Sequence, residues 1–93
     1  YVGSIALCPK LMYAAGILPN EQVDVYNISN GNRLTTYAIK GDEGQIGLNG
    51  AAALKGRAGD VVIIASYTWL TTEEMPSHEP RLVFVDEQNR QVP

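Results

Sequence analysis

The sequence predicts a small mixed β-barrel. Three observations carry that reading: about six short strand-like runs, corners marked by glycine or asparagine, and helical spacing that never lasts long. At 93 residues the chain makes one domain, residues 1–93, with a modest core that gains from partners. Closure into a barrel would also remove exposed strand edges, which a chain with 45% hydrophobic residues needs.

Val2 to Leu7 is an apolar strand. Pro9 suits a first helical turn, and Leu11, Met12 and Ala15 follow at helical spacing, with Gly16 as a natural stop, so a helix is expected over about Pro9–Ala15. Cys8 stands where a polar cap is usual. Gln22 to Ile28 alternates polar and apolar residues, the period of a half-buried strand. Asn30-Gly31 is a hairpin signal, and Arg33 to Ile39 returns as the partner strand. Gly41 to Gly44 is a loop, Gln45 to Leu48 a strand, and Asn49-Gly50 another turn. Ala51 to Leu54 suits one helical turn. Val61 to Tyr67 is a continuous apolar run, which predicts a strand buried on both faces. Thr72 to Glu74 starts a short helix that Pro76 stops. Leu82 to Val85 is the last strand, Asp86 to Asn89 a turn, and Arg90 onward a tail.

The formal charge is −3 and the seven Lys and Arg residues are scattered, so the sequence predicts no nucleic-acid partner. No apolar run reaches membrane-spanning length. One Cys, Cys8, and one His, His78, make neither a disulfide nor a metal set, and Cys8 is expected to be a small, partly buried apolar residue. No signal peptide opens the chain, so the expected compartment is cytoplasmic. Asn27-Ile28-Ser29 matches a glycosylation sequon by chance. His78 sits in a Pro-flanked loop, a poor place for a triad base, and neither a G-x-S-x-G elbow nor a P-loop occurs.

Two features remain. On a strand, Arg33, Thr35 and Tyr37 share one face and Thr36 takes the other unless the strand bulges. An Arg fork near a phenol can hold a carboxylate and supply a proton; it can equally be a surface Arg beside a packed Tyr. Gly3-Ser4 places a hydroxyl next to a peptide carbonyl on a permissive backbone; it can equally be a plain strand start.

The string YVGS…AAGILPNEQVDVYNISNGNRLTTYAI…NGAAA…GDVVIIASY resembles the pyruvoyl-dependent aspartate 1-decarboxylase family, from Tyr1 to about Asn89. The resemblance implies a mainly β double-psi β-barrel with short helices, assembled as a homotetramer with sites between neighbouring subunits. It implies that Ser4 attacks the Gly3 carbonyl and becomes a covalent pyruvoyl group, so that neither a metal nor an external cofactor is needed. Thr36 is then the residue that hydrogen-bonds the Gly3 carbonyl, and Asn49 assists. The ketone takes the amine of L-aspartate as a Schiff base and serves as the electron sink for its decarboxylation to β-alanine and CO2, a step of pantothenate biosynthesis. By the same resemblance Tyr37 is the proton donor, and Arg33 binds a substrate carboxylate. Thr36, Gly50, Ala51 and Ala52 line the substrate pocket; Tyr26 and Ile63 fall where the family places its wall, and a core role fits those two equally.

The sequence departs from the family in places. Members carry about twenty further residues before Tyr-x-Gly-Ser, which supply a barrel strand and a basic residue; without them a strand edge is exposed. Either a separate N-terminal fragment supplies that segment as a partner, or the chain is shortened or rebuilt there. Leu54 follows the triple alanine where His is common, and the loop from Lys40 to Gln45 is a residue or two short. The rival expectations are a non-catalytic barrel used for binding or assembly, and an arrested, unprocessed precursor.

Overall fold

In the computed structural model, which describes residues 3–93, strand β1 (Ser4–Leu7) is buried along its whole length. The expected start at Val2 lies outside the described residues, as does Tyr1 of the opening motif. Helix α1 (Pro9–Ala15) follows with Pro9 in its first turn and Cys8 at the N-cap making no side-chain capping bond. Its end is a Schellman turn: Gly16 adopts φ 74°, its N–H donates to the Tyr13 carbonyl, and the Ile17 N–H donates to the Met12 carbonyl.

β2 (Gln22–Asn27) and β3 (Arg33–Lys40) form the expected antiparallel hairpin, with Tyr26 opposite Arg33 and Val23 opposite Thr36. β4 (Ile46–Asn49) leads into a 3-10 helix (Gly50–Lys55), and β5 (Val62–Ala65) follows. These strands make one five-stranded sheet in the order β4-β1-β3-β2-β5. β1 runs parallel to β3 and antiparallel to β4. Ile5, Leu7, Met12, Ile17, Val23, Val25 and Ala38 form the core, with Leu34, Leu48 and Ile64 packed against it.

Several expectations are corrected. β5 is shorter than the apolar run and is not buried on both faces: Ile63 is 52% exposed. The reason is its place at the edge of the sheet, where among the described residues it pairs only with β2. Residues after Arg90 are no tail, because β6 (Phe84–Val85) pairs with β7 (Gln91–Val92) across the Asp86–Asn89 turn. Thr71 and Glu74 cap each other reciprocally, as a helix start should, with the Glu74 N–H on Thr71 Oγ1 and the Thr71 N–H on Glu74 Oε1. Pro76, whose ring and missing N–H stop a helix, leaves only a 3-10 turn over Met75–Ser77.

Between the free edges of β4 and β5 lies a cavity of about 820 Å³, lined by Ile46, Gly47, Leu48, Val61, Val62 and Ile5. No helix among the described residues is long and apolar enough to cross a membrane.

Asn27 ties the hairpin to the rest of the fold. It is 2% exposed; its Oδ1 accepts from the Ser29 and Asn30 N–H groups, and its Nδ2 donates to the Lys55 carbonyl and to Asp60 Oδ2. That amide is therefore committed to the fold, which accounts for the sequon. The Asn27 hydrogen bond, then the Arg57 N–H and charge, hold the Asp60 carboxyl below its usual range. A lowered carboxyl contributes stability above pH of about 4, lost as pH falls through the folded value. Asn27→Ala should cost about 2–4 kcal/mol at neutral pH. Urea unfolding at falling pH checks this: the gap to the parent protein should narrow below pH of about 4 as Asp60 protonates.

Candidate functional site

Gly3 holds φ +131°, a conformation that side-chain-bearing residues rarely adopt. A Cβ there would lie 2.8 Å from the Ala52 nitrogen and 2.9 Å from the Asn49 carbonyl oxygen. The Gly3 Cα is thus closed off on its side-chain side by the end of β4 and the 3-10 helix. Ser4 itself is 1% exposed and stands opposite Asn49, whose Nδ2 donates to Ser4 Oγ at 3.2 Å. Ala52 and Thr36 are also buried, whereas Gly50 and Ala51 are exposed.

β3 carries the remaining candidates. Its burial alternates as the sequence predicts: Arg33 and Thr35 are exposed and Tyr37 is half-buried on one face, while Leu34, Thr36 and Ala38 turn inward. β1 pairs with β3 at a constant offset, Ile5 with Ala38 and Ala6 with Ile39. Carried back one residue to the start of β1, that offset brings Ser4 beside Tyr37. Paired residues of neighbouring strands point to the same side, so Ser4 and Tyr37 share a face.

The structure does not bring Arg33 to this group. Arg33 lies four residues from Tyr37 along the strand, about 13 Å at the rise of an extended chain. It belongs instead to a second cluster on the outer face of β2, β3 and β5. There its guanidinium carbon sits 4.4 Å from the centroid of the Tyr26 ring, a cation–π contact. Ile63 is opposite Tyr26 on β5. The Tyr26 and Tyr67 hydroxyls are hydrogen-bonded to each other, and Asp24 accepts from Thr35 Oγ1 at 2.6 Å. Hydrogen bonding with Tyr26 first, then burial, then hydrogen bonding with Asp24 push the Tyr67 phenol up to about 12. It is therefore protonated at neutral pH.

Sequence reasoning missed Tyr67 and Asp24. The signal was present: Ile63, Ala65 and Tyr67 alternate on one face, but only the register of β5 against β2 places that face beside Tyr26. Cys8 is buried and His78 is exposed in the segment after the second 3-10 turn. Among the described residues, no group of three or more His, Cys, Asp and Glu could hold a metal ion.

Comparison with known proteins gives a consistent result. The sequence profile of the aspartate decarboxylase family matches residues 1–92. The chain is 52% identical over 90 residues to aspartate 1-decarboxylase of Bdellovibrio bacteriovorus, covering 97% of this chain and 73% of that protein. It is 54% identical over 92 residues to aspartate 1-decarboxylase of Caldicellulosiruptor bescii, covering 97% and 72%. Against aspartate 1-decarboxylase of Acaryochloris marina the identity is 55% over 92 residues, covering 97% and 70%.

Proposed function

The chain belongs to the aspartate decarboxylase family, and from that membership we propose that it decarboxylates L-aspartate to β-alanine and CO2 after cutting itself between Gly3 and Ser4. The observation that carries the reading is the Gly3–Ser4 junction: a glycine at positive φ with no room for a side chain, followed by a buried serine whose hydroxyl is held by Asn49.

In the cutting step, Ser4 Oγ bonds to the Gly3 carbonyl carbon, the Gly3–Ser4 C–N bond breaks, and the hydroxyl proton passes to the freed nitrogen. Loss of the Ser4 Cα proton and of the Gly3 carboxylate from Cβ then leaves dehydroalanine. Water adds, ammonia leaves, and a pyruvoyl end remains. Negative charge develops on the Gly3 carbonyl oxygen in the first step. Thr36, buried on the inward face of β3, is the donor that steadies it. Asn49 orients the attacking oxygen.

A small keto group fits where Ser4 stands, because that position is enclosed and backed by the Asn49 amide. The pyruvoyl group supplies an electron-withdrawing ketone that stabilises the charge left when CO2 departs. Tyr37, on the same face one strand away, delivers a proton to the carbon that lost its carboxylate. Gly50, Ala51 and Ala52 keep side chains out of the way of the substrate. Arg33 grips a substrate carboxylate with both arms of its fork. Because about 13 Å of strand separates it from Tyr37, it serves the site of a neighbouring copy. That supports a homotetramer, as do the exposed Ile63, Tyr67, Trp69 and Leu70 along and beyond β5. The finer fold reading is a double-psi β-barrel, its cleft between β4 and β5 closed by a further strand from a preceding segment or separate fragment.

Intact mass after incubation tests the cutting. Two fragments are expected, the larger with a carbonyl-reactive end; a single uncut, fully active species would overturn the self-cleavage. Thr36→Val should slow cutting about 10²- to 10³-fold, the usual worth of one such donor, while Thr36→Ser retains it. A Thr36→Val protein that matures at the parent rate removes Thr36 from this role.

A further inference from the structure

We propose that Tyr67 is a positioning residue for Arg33, acting through the ring of Tyr26. The inference rests on the reading of Arg33 as the residue that binds a substrate carboxylate. Arg33 is exposed, and among the described residues the Tyr26 ring is its one side-chain partner. A free arginine side chain spreads over many rotamers, and ordering it on binding weakens the complex. The orientation of the Tyr26 ring therefore decides where the guanidinium waits.

Tyr26 is fixed from the far side. Its hydroxyl is hydrogen-bonded to that of Tyr67, two residues beyond the end of β5. Behind this pair, Asp24 is held by the Thr35 hydroxyl across the β2–β3 ladder. The line Tyr67, Tyr26, Arg33 thus runs from the segment after β5 through β2 to β3 and ends on the cation. Tyr67 reaches Arg33 only through the ring between them. Tyr67 is itself 67% exposed, so removing its hydroxyl leaves the core untouched.

Tyr67→Phe in the matured protein should raise KM for L-aspartate about three- to tenfold with kcat near the parent value, the range expected for one hydrogen bond. Intact mass should show unchanged cutting. Calorimetry with succinate, a dicarboxylate with no amine to react, should show the same fold-change in Kd. Tyr26→Phe should give a rise of the same size, and the double variant no more than either single. A parent-like KM and Kd in Tyr67→Phe overturns the proposal, as do effects that multiply in the double variant. Arg33→Gln is run alongside. If it leaves KM and Kd unchanged, the carboxylate-binding assignment falls and takes the proposal with it. If it raises both sharply while Tyr67→Phe is silent, only the role of Tyr67 is overturned.

Discussion

Gly3→Ala should leave the protein in one piece. An alanine at φ +131° is strained by about 1–3 kcal/mol before any contact is counted. Its Cβ would also meet main-chain atoms of Ala52 and Asn49 at 2.8 and 2.9 Å, neither of which is the end of a flexible side chain. The backbone must turn to escape, and the carbonyl proposed as the target of Ser4 turns with it. Displacing a reacting group by about an ångström commonly costs about 10²-fold in rate. Intact mass against incubation time should therefore show cutting slowed at least that much. Cutting at the parent rate would mean that the Gly3 conformation plays no part in maturation.

Tyr37→Phe should separate maturation from turnover. Ser4 and Tyr37 face the same way from neighbouring strands, whereas Thr36, the proposed donor to the Gly3 carbonyl, turns to the inward face of β3. Removing the phenol hydroxyl should leave cutting complete by mass and lower kcat about 10²- to 10⁴-fold, the usual contribution of a positioned proton donor. Steady-state CO2 release from L-aspartate measures it. An unchanged kcat would exclude Tyr37 as the donor; a block in cutting would move it to the maturation step.

Much of this was legible in the sequence where the physics is local. The bounds of α1 follow from Pro9 and Gly16, and the in–out alternation of Arg33 to Tyr37 from the strand period. The β2–β3 hairpin follows from Asn30-Gly31 between two alternating runs. What the residues alone could not reveal depends on register between distant segments. Nothing in Ser4 to Leu7 announces that this strand lies between β3 and β4. The apolar run from Val61 reads the same whether the chain itself or another covers its outer face, so the exposure of Ile63 was not legible. Tyr67 was invisible for the same reason, since its partner is 41 residues away. The roles of Ser4 and Arg33 came from the resemblance; on residues alone a strand start and a surface arginine fitted as well.

The place of β1 has a consequence for durability. Fresh chain ends ordinarily fray, because their backbone groups find water instead of partners. An end created at Ser4 begins a strand gripped by hydrogen bonds from both sides and sealed from solvent. The reactive cap would be as immobile as an interior residue, with no dissociation equilibrium to lose it by. With the proposed self-made group, dilution or dialysis, which strip a borrowed coenzyme, would have nothing to remove.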